Sequence, residues 1–298
     1  MIKIATHNGK FHSDDVFAVA ILFIALGKDN CEVVRTREED VIMNGDIVVD
    51  VGGEYNSSRK RFDHHQLGGA GKRGDGIPYA SAGLVWNDYG IKVAGSDKVK
   101  DEIDRILIKP IDALDNGVEI SKSLFNDLYS FDVGSVVNLY RLTWKENGDW
   151  DERFLKAVDW AMMVLKRLIS VTKDILDARS IVEKAYKDST NKIIIIIDEK
   201  YNLGREVVMD TLFLYSEPIY ALLYRADINN WQIIAIRKTE GSFASRKPFP
   251  ESWRALVGED LQKITGIRDS VFCHRSGFMC VAGSKEGAVA LAEKALRN

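Results

Sequence analysis

The sequence predicts an α/β fold in three parts. These are a parallel-sheet domain over residues 1–145, a helical connector over 146–190 and a smaller α+β domain over 191–298. Three observations predict it. Residues 2–6 are apolar and β-prone, a polar turn follows, and the run 16–26 is wholly apolar, so the chain opens as strand, loop, helix. Residues 46–51 (DIVVDV) form a β-branched run of the kind found in parallel strands covered on both faces. Beyond the polar stretch 187–192 the composition changes, beginning with five consecutive isoleucines at 193–197.

Taken in order, Asp14 and Asp15 stand at the start of the 16–26 helix, where acids favour a helix N-terminus. That run is eleven residues, too short to span a bilayer, and reads as a helix buried on all sides. Residues 33–35 are a second strand, and 46–51 a third that ends at Asp50 and the turn pair Gly52, Gly53. A loop with five glycines in nine residues, 68–76, lacks P-loop spacing. It reads as a surface loop or as a flexible lid whose Lys72 and Arg73 reach a phosphate. Helical patterns follow at 80–89 and 97–114, and 122–187 reads as mostly helical with a break near 146–149. In the last part, strands are expected at 219–224 and 231–236, joined by a hairpin at 227–230. A fourth strand is expected within 276–282 and a final helix over 284–296.

Composition narrows the function. With 29% charged and 46% hydrophobic residues, the chain is an ordinary globular protein. A net charge of −3 gives no global attraction to nucleic acid, so such a substrate needs a local basic patch. Cys31, Cys273 and Cys280 are odd in number and unpaired as C-x-x-C, which argues against a disulfide framework and a thiolate zinc site. The N-terminus lacks signal-peptide character, so a cytoplasmic location is expected, with nuclear or mitochondrial placement open and no membrane partner.

The chemistry concentrates early. Of five histidines, His7, His12, His64 and His65 lie in the first 65 residues, beside Asp14, Asp50 and Asp63. Singly, each has a structural reading: acids at a helix start, a histidine in a core, Asp112 and Asp115 on a solvated helix face. Together they stand at the ends of predicted strands, where open parallel sheets bind ligands. Imidazole and carboxylate without thiolate suit Mn, Mg, Fe or Zn. The groups exceed what one ion needs, so two divalent ions are expected, with Asp50 placed to bridge them.

The order His7…His12-x-Asp14, then Asp50, then Asp63-His64-His65, resembles the motifs of the DHH phosphoesterase superfamily. The fuller wording resembles the melanocyte proliferating gene protein family: 6–15 (THNGKFHSDD), 50–53 (DVGG), 61–66 (RFDHHQ), 111–117 (IDALDNG) and 247–254 (KPFPESWR). The resemblance implies metal ligands among His7, His12, Asp14, Asp50, His64 and one of Asp112 and Asp115. Asp63 is expected as a ligand or as the holder of a histidine ring N–H, and whichever of His64 and His65 does not ligate is expected to polarise the scissile phosphate or protonate the leaving oxygen. His12 replaces a carboxylate of the superfamily pattern, which leaves the metal open among Mn, Mg, Zn and Fe. The second domain is expected to grip substrate through Arg246, Lys247, Arg254, His274, Arg275 and Ser276. The implied activity is 3′-to-5′ exonucleolytic hydrolysis of RNA or short oligonucleotides. The alternatives are a phosphohydrolase of pyrophosphate or a cyclic dinucleotide, and a non-catalytic metal-stabilised nucleic-acid-binding protein. Oligomeric state is open, a homodimer included.

Overall fold

A computed structural model describes residues 1–239 and 241–298. The chain divides into two compact units, Met1–Lys173 and Asp174–Asn298.

The first unit carries β1 (Ile2–Thr6), α1 (Ser13–Leu26), β2 (Cys31–Arg35), α2 (Glu39–Met43), β3 (Ile47–Val49), β4 (Tyr55–Asn56) and β5 (Arg61–Phe62). It continues with α3 (Ser81–Ala94), α4 (Asp97–Ile103), α5 (Lys109–Asp115) and α6 (Val133–Asn138). A π-helical turn, Asp104–Ile108, joins α4 to α5. The sheet order is β2-β1-β3-β5-β4. Four strands are parallel and the edge strand β4 is antiparallel to β5. β1 has β2 on one side and β3 on the other, so strand order reverses beside β1. That is where open α/β sheets form a crevice past their carboxyl ends. Helix α1 is buried on every side from Asp14 to Phe23, which explains its lack of a polar face.

Helix α7 (Trp150–Asp188) is continuous through the boundary between the units. The sequence places boundaries at 145/146 and 190/191, whereas the division falls inside this helix. The polar stretch near 188 marks where the helix stops, and local composition carries no trace of where packing changes. Residues 116–132, expected to be partly helical, form neither helix nor strand. Leu124, Phe125, Leu128 and Tyr129 recur at helical spacing but are exposed there. A short helix gains its stability from a buried face, and this segment buries none.

The second unit holds β6 (Ile194–Ile196), α8 (Arg205–Phe213), β7 (Tyr220–Arg225), β8 (Asn230–Ala235), α9 (Glu259–Thr265), β9 (Ser270–Cys273), β10 (Met279–Ala282) and α10 (Lys285–Arg297). Its order is β6-β7-β8-β10-β9, with β6 and β7 parallel and the other pairs antiparallel. Alternation along the strands builds two cores. Tyr220, Leu222 and Ile233 face Leu261 and Leu291 of α9 and α10. Ala221, Leu223 and Ile234 face Val208 and Leu212 of α8 and Val182 of α7. Helices α8 and α9 and strand β9 have no counterpart in the sequence prediction, their segments being short and flanked by polar residues. Among the described residues, no helix is long and apolar enough to cross a membrane.

Candidate metal centre

Strand β1 ends at Thr6 and delivers His7; β3 ends at Val49 and delivers Asp50. His7 Nε2 lies 3.3 Å from Asp50 Oδ2 and 3.1 Å from Asp15 Oδ2. The segment after β5 brings His64, whose Nε2 lies 3.3 Å from Asp50 Oδ1, 3.2 Å from Asp115 Oδ2 and 3.8 Å from Asp14 Oδ2. Among the described residues, three sets of side chains could each hold an ion: His7, Asp15 and Asp50; His12, Asp14 and Asp115; and Asp50, His64 and His65. Asp50 belongs to two of them.

The backbone is shaped for this convergence. Asp50 sits at φ 55, in the left-handed region that a residue with a Cβ adopts at a cost, aspartate less than most. Such conformations persist where surrounding contacts over-determine them. Gly52 and Gly53 follow with φ 97 and 65, turning the chain so that the Gly53 N–H donates to Asp63 Oδ2 at 2.5 Å. At the start of α1, Asp15 Oδ1 accepts the His12 N–H at 2.8 Å.

The charges call for a cation. Asp14 is fully buried, and neither carboxylate oxygen has a hydrogen-bond partner among the described residues. Burial, together with the charges of Asp50, Asp115 and Asp15, raises its pKa well above the carboxylate range. Burial likewise raises Asp15, against the pull of His7. Burial works against protonating His7, but its bonds to Asp15 and Asp50 outweigh this and raise it to about 10. For His64 the same contest ends at about 10, through Asp115 and Asp50. Asp50 is desolvated too, yet His64 and His7 hold it far below the usual range. Protonated imidazoles thus supply the positive charge between these carboxylates. A divalent ion with neutral histidines would serve the same electrostatic end, so the donor set fits one or more hard or borderline cations.

His65 differs from His64. Its side chain is 62% exposed, and Asp63 Oδ1 holds its Nδ1 at 2.7 Å. Asp63 also accepts the His65 backbone N–H at 3.1 Å. The hydrogen bond to Asp63 raises the His65 pKa against its partial burial. Buried itself, Asp63 is still held low by His65 and the Gly53 N–H.

Of the two aspartates left open by the sequence, the structure brings Asp115 to the cluster and turns Asp112 away. Asp112 Oδ2 lies 2.6 Å from Arg73 Nη1, and its Oδ1 accepts the Gly83 N–H at 2.9 Å. Arg73 is therefore not free for a phosphate. The glycine-rich loop is pinned by the Arg73 N–H to Ile77 O and the Tyr79 N–H to Gly71 O. Asp15, which reads from sequence only as a helix-start acid, does cap α1 through Oδ1 and also reaches His7 through Oδ2; the one signal for the second role is adjacency to Asp14 in the motif.

The expected substrate cations of the second unit are mostly engaged. The Arg246 guanidinium donates to Pro218 O at 2.8 Å and Phe213 O at 2.9 Å. Lys247 Nζ donates to Leu296 O at 2.7 Å, and Arg254 Nε to Phe249 O at 3.0 Å. His274 and Ser276 share the β9–β10 turn, with Nδ1 and Oγ 2.8 Å apart, and Arg275 beside them is exposed. Phe249 and Trp253 are core residues.

Comparison with known proteins agrees with the motif order. The MYG1_exonuc family model, described as Uncharacterised protein family (UPF0160), matches residues 3–296. MYG1 exonuclease of Rattus norvegicus is 31% identical over 328 residues, covering 99% of this chain and 84% of that protein. MYG1 protein of Dictyostelium discoideum is 32% identical over 331 residues, covering 100% and 97%. MYG1 protein of Chlamydia trachomatis is 30% identical over 292 residues, covering 95% and 93%. The solved "Crystal structure of exonuclease RecJ bound to manganese" aligns at a TM-score of 0.25 and 12% identity, over 99% of this chain and 90% of that chain. An overlap that low carries no argument. With a family match across nearly its whole length, the chain belongs to the melanocyte proliferating gene (MYG1) exonuclease family.

Proposed function

We propose that this chain is a divalent-metal-dependent phosphodiester hydrolase, holding two ions and removing nucleotides from the 3′ end of RNA or short oligonucleotides. The observation that carries the reading is Asp14: a fully buried carboxylate with no hydrogen-bond partner among the described residues, ringed by Asp50, Asp115 and His64. The name MYG1 exonuclease, borne by relatives that align across 99% of this chain, supports the exonuclease class. RNA and the 3′-to-5′ direction rest on the family resemblance.

His7, Asp15 and Asp50 would hold one ion. The other would take His12, Asp14 and Asp115, with His64 between Asp50 and Asp115. Manganese and magnesium suit the carboxylates, and the added imidazoles admit zinc or iron. Bound there, divalent ions supply an acidified water and neutralise charge on the phosphoryl oxygens. The chain's own contribution is orientation and proton transfer. Asp63 fixes the ring of His65 through Nδ1, which leaves Nε2 to give a proton to the leaving oxygen. The near-complete burial of His7 and Asp50 limits water around the reacting groups.

One observation favours a second reading, a small-molecule phosphohydrolase acting on pyrophosphate or a cyclic dinucleotide. Arg246, Lys247 and Arg254 spend their donors on backbone carbonyls. That leaves fewer cations to track a long phosphate backbone.

Metal-supplemented hydrolysis of 5′-labelled RNA, single-stranded DNA, pyrophosphate and cyclic dinucleotides tests both. Wild type is compared with Asp50→Ala and His64→Ala. A 3′-end ladder on RNA, absent in both variants, supports the exonuclease. Turnover of the small substrates alone supports the second reading. No turnover of any substrate with manganese, magnesium, zinc or iron sinks both and leaves a metal-stabilised binding protein.

A further inference from the structure

Behind the metal-binding side chains lies a buried polar chain that touches no candidate ion. Ser81, the first residue of α3, is fully buried and donates from Oγ to Asp50 Oδ1 at 3.0 Å. Two residues on, the Gly83 N–H is held by Asp112 at 2.9 Å. Asp112 comes so close to the α3 backbone that a Cβ on Gly83 would lie 1.8 Å from its Oδ2. The carboxylate is fully buried and is matched by Arg73 at 2.6 Å. Arg73 in turn binds Asp104 through Nη2 at 2.8 Å and lies 4.3 Å from the Tyr79 ring centre. Asp104 opens the π-helical turn that leads into α5, and Asp112 and Asp115 lie on α5 itself.

We infer that Arg73, Asp112 and Ser81 are positioning residues that set the aim of Asp50 through α3 and of Asp115 through α5. The inference rests on the metal-site reading above. A single carboxylate, Asp112, joins both helices: one starts against Asp50 and the other presents Asp115 3.2 Å from His64. Asp50 needs such support because its left-handed backbone is held by its surroundings rather than by its own preference. Arg73 also pairs with the Asp112 carboxylate, which would otherwise stand fully buried without a cation beside it. Partners of this kind, which orient ligands without touching the ion, typically change metal affinity by about 10- to 100-fold.

The test is calorimetric titration of Mn2+ into metal-stripped full-length wild type, Ser81→Ala, Arg73→Met, Asp112→Asn and the Arg73→Met/Asp112→Asn pair. Electron paramagnetic resonance of the bound ion accompanies it. Each single variant is expected to bind about 10- to 100-fold more weakly. The pair is expected to lose no more than Arg73→Met alone, because the two residues act through one chain. Ser81→Ala removes only a hydroxyl, so its thermal unfolding in chelator should stay near wild type while its metal affinity falls. Wild-type affinity and stoichiometry in folded Ser81→Ala and Arg73→Met would overturn the positioning role and leave the metal centre standing. Absence of Mn2+ binding by wild type would overturn both.

Discussion

His7 Nε2 stands 3.3 Å from Asp50 Oδ2, linking the carboxyl ends of β1 and β3 where the strand order of the first unit reverses. The contact is an ion pair in the metal-free protein, because Asp15 and Asp50 raise His7 to about 10 despite its burial. It sits where a cation would bind, so the proton and the metal compete.

The first prediction concerns that competition. His7 and His64, both raised to about 10, are protonated at neutral pH and must lose the proton to ligate. Metal affinity should therefore rise from pH 6.5 toward 10, by about tenfold per pH unit for each proton released. Calorimetry in buffers of different ionisation enthalpy measures the proton count. An affinity flat with pH would show that these histidines do not ligate.

Metal-free stability should follow the same groups. A histidine raised on folding stabilises fully below its ordinary pKa near 6.5, and that contribution is lost as pH climbs through about 10. Asp50 and Asp63 are depressed, so their contribution is lost instead as pH falls below the ordinary carboxylate range. Thermal unfolding in chelator should show a falling midpoint from pH 6.5 to 10. With saturating Mn2+ the midpoint should be higher and the decline smaller.

His65→Gln should leave metal binding near wild type and lower kcat by about 10²- to 10⁴-fold, the range for a lost general acid. Asp63→Asn should do less damage and shift the alkaline limb of the kcat profile downward, since Asp63 is the main cause of the raised His65 pKa. Loss of bound metal in His65→Gln would instead make His65 a ligand.

Gly83→Ala should destabilise the protein by about 3 kcal/mol. Its Cβ would meet Asp112 Oδ2 at 1.8 Å and Arg73 Nη2 at 2.9 Å, so a buried ion pair has to separate. Denaturant unfolding measures this, and a change below about 0.5 kcal/mol would place Gly83 among ordinary tolerant positions.

Arg246→Ala and Arg275→Ala separate support from substrate contact in the second unit. Arg246 serves Pro218 O and Phe213 O, so its loss should cost about 1–3 kcal/mol of stability. Arg275 is exposed, and its removal should leave unfolding within about 0.5 kcal/mol of wild type while raising KM for an oligonucleotide. The reverse pattern would exchange the two assignments.

By itself, the sequence determined the order of strands and helices that opens the first unit and which residue types stand at the strand ends. Periodicity and β-branched runs are local properties, and β1, α1, β2 and β3 lie where they predict. The clustering of His7, His12, Asp14 and Asp50 was legible because each follows a recognisable strand or opens a helix, while His64 was legible only from its place in the Asp63-His64-His65 motif. Tertiary structure alone decided which of two aspartates one helical turn apart faces the cluster. Asp112 and Asp115 share a composition and a helix, and the difference is Arg73, which meets Asp112 from 39 positions earlier in the chain. It likewise drew Asp15 to His7 and turned Arg246, Lys247 and Arg254 toward carbonyls. The role of a charged group depends on which partner reaches it first in a desolvated interior, and that distance exists only once the chain has folded.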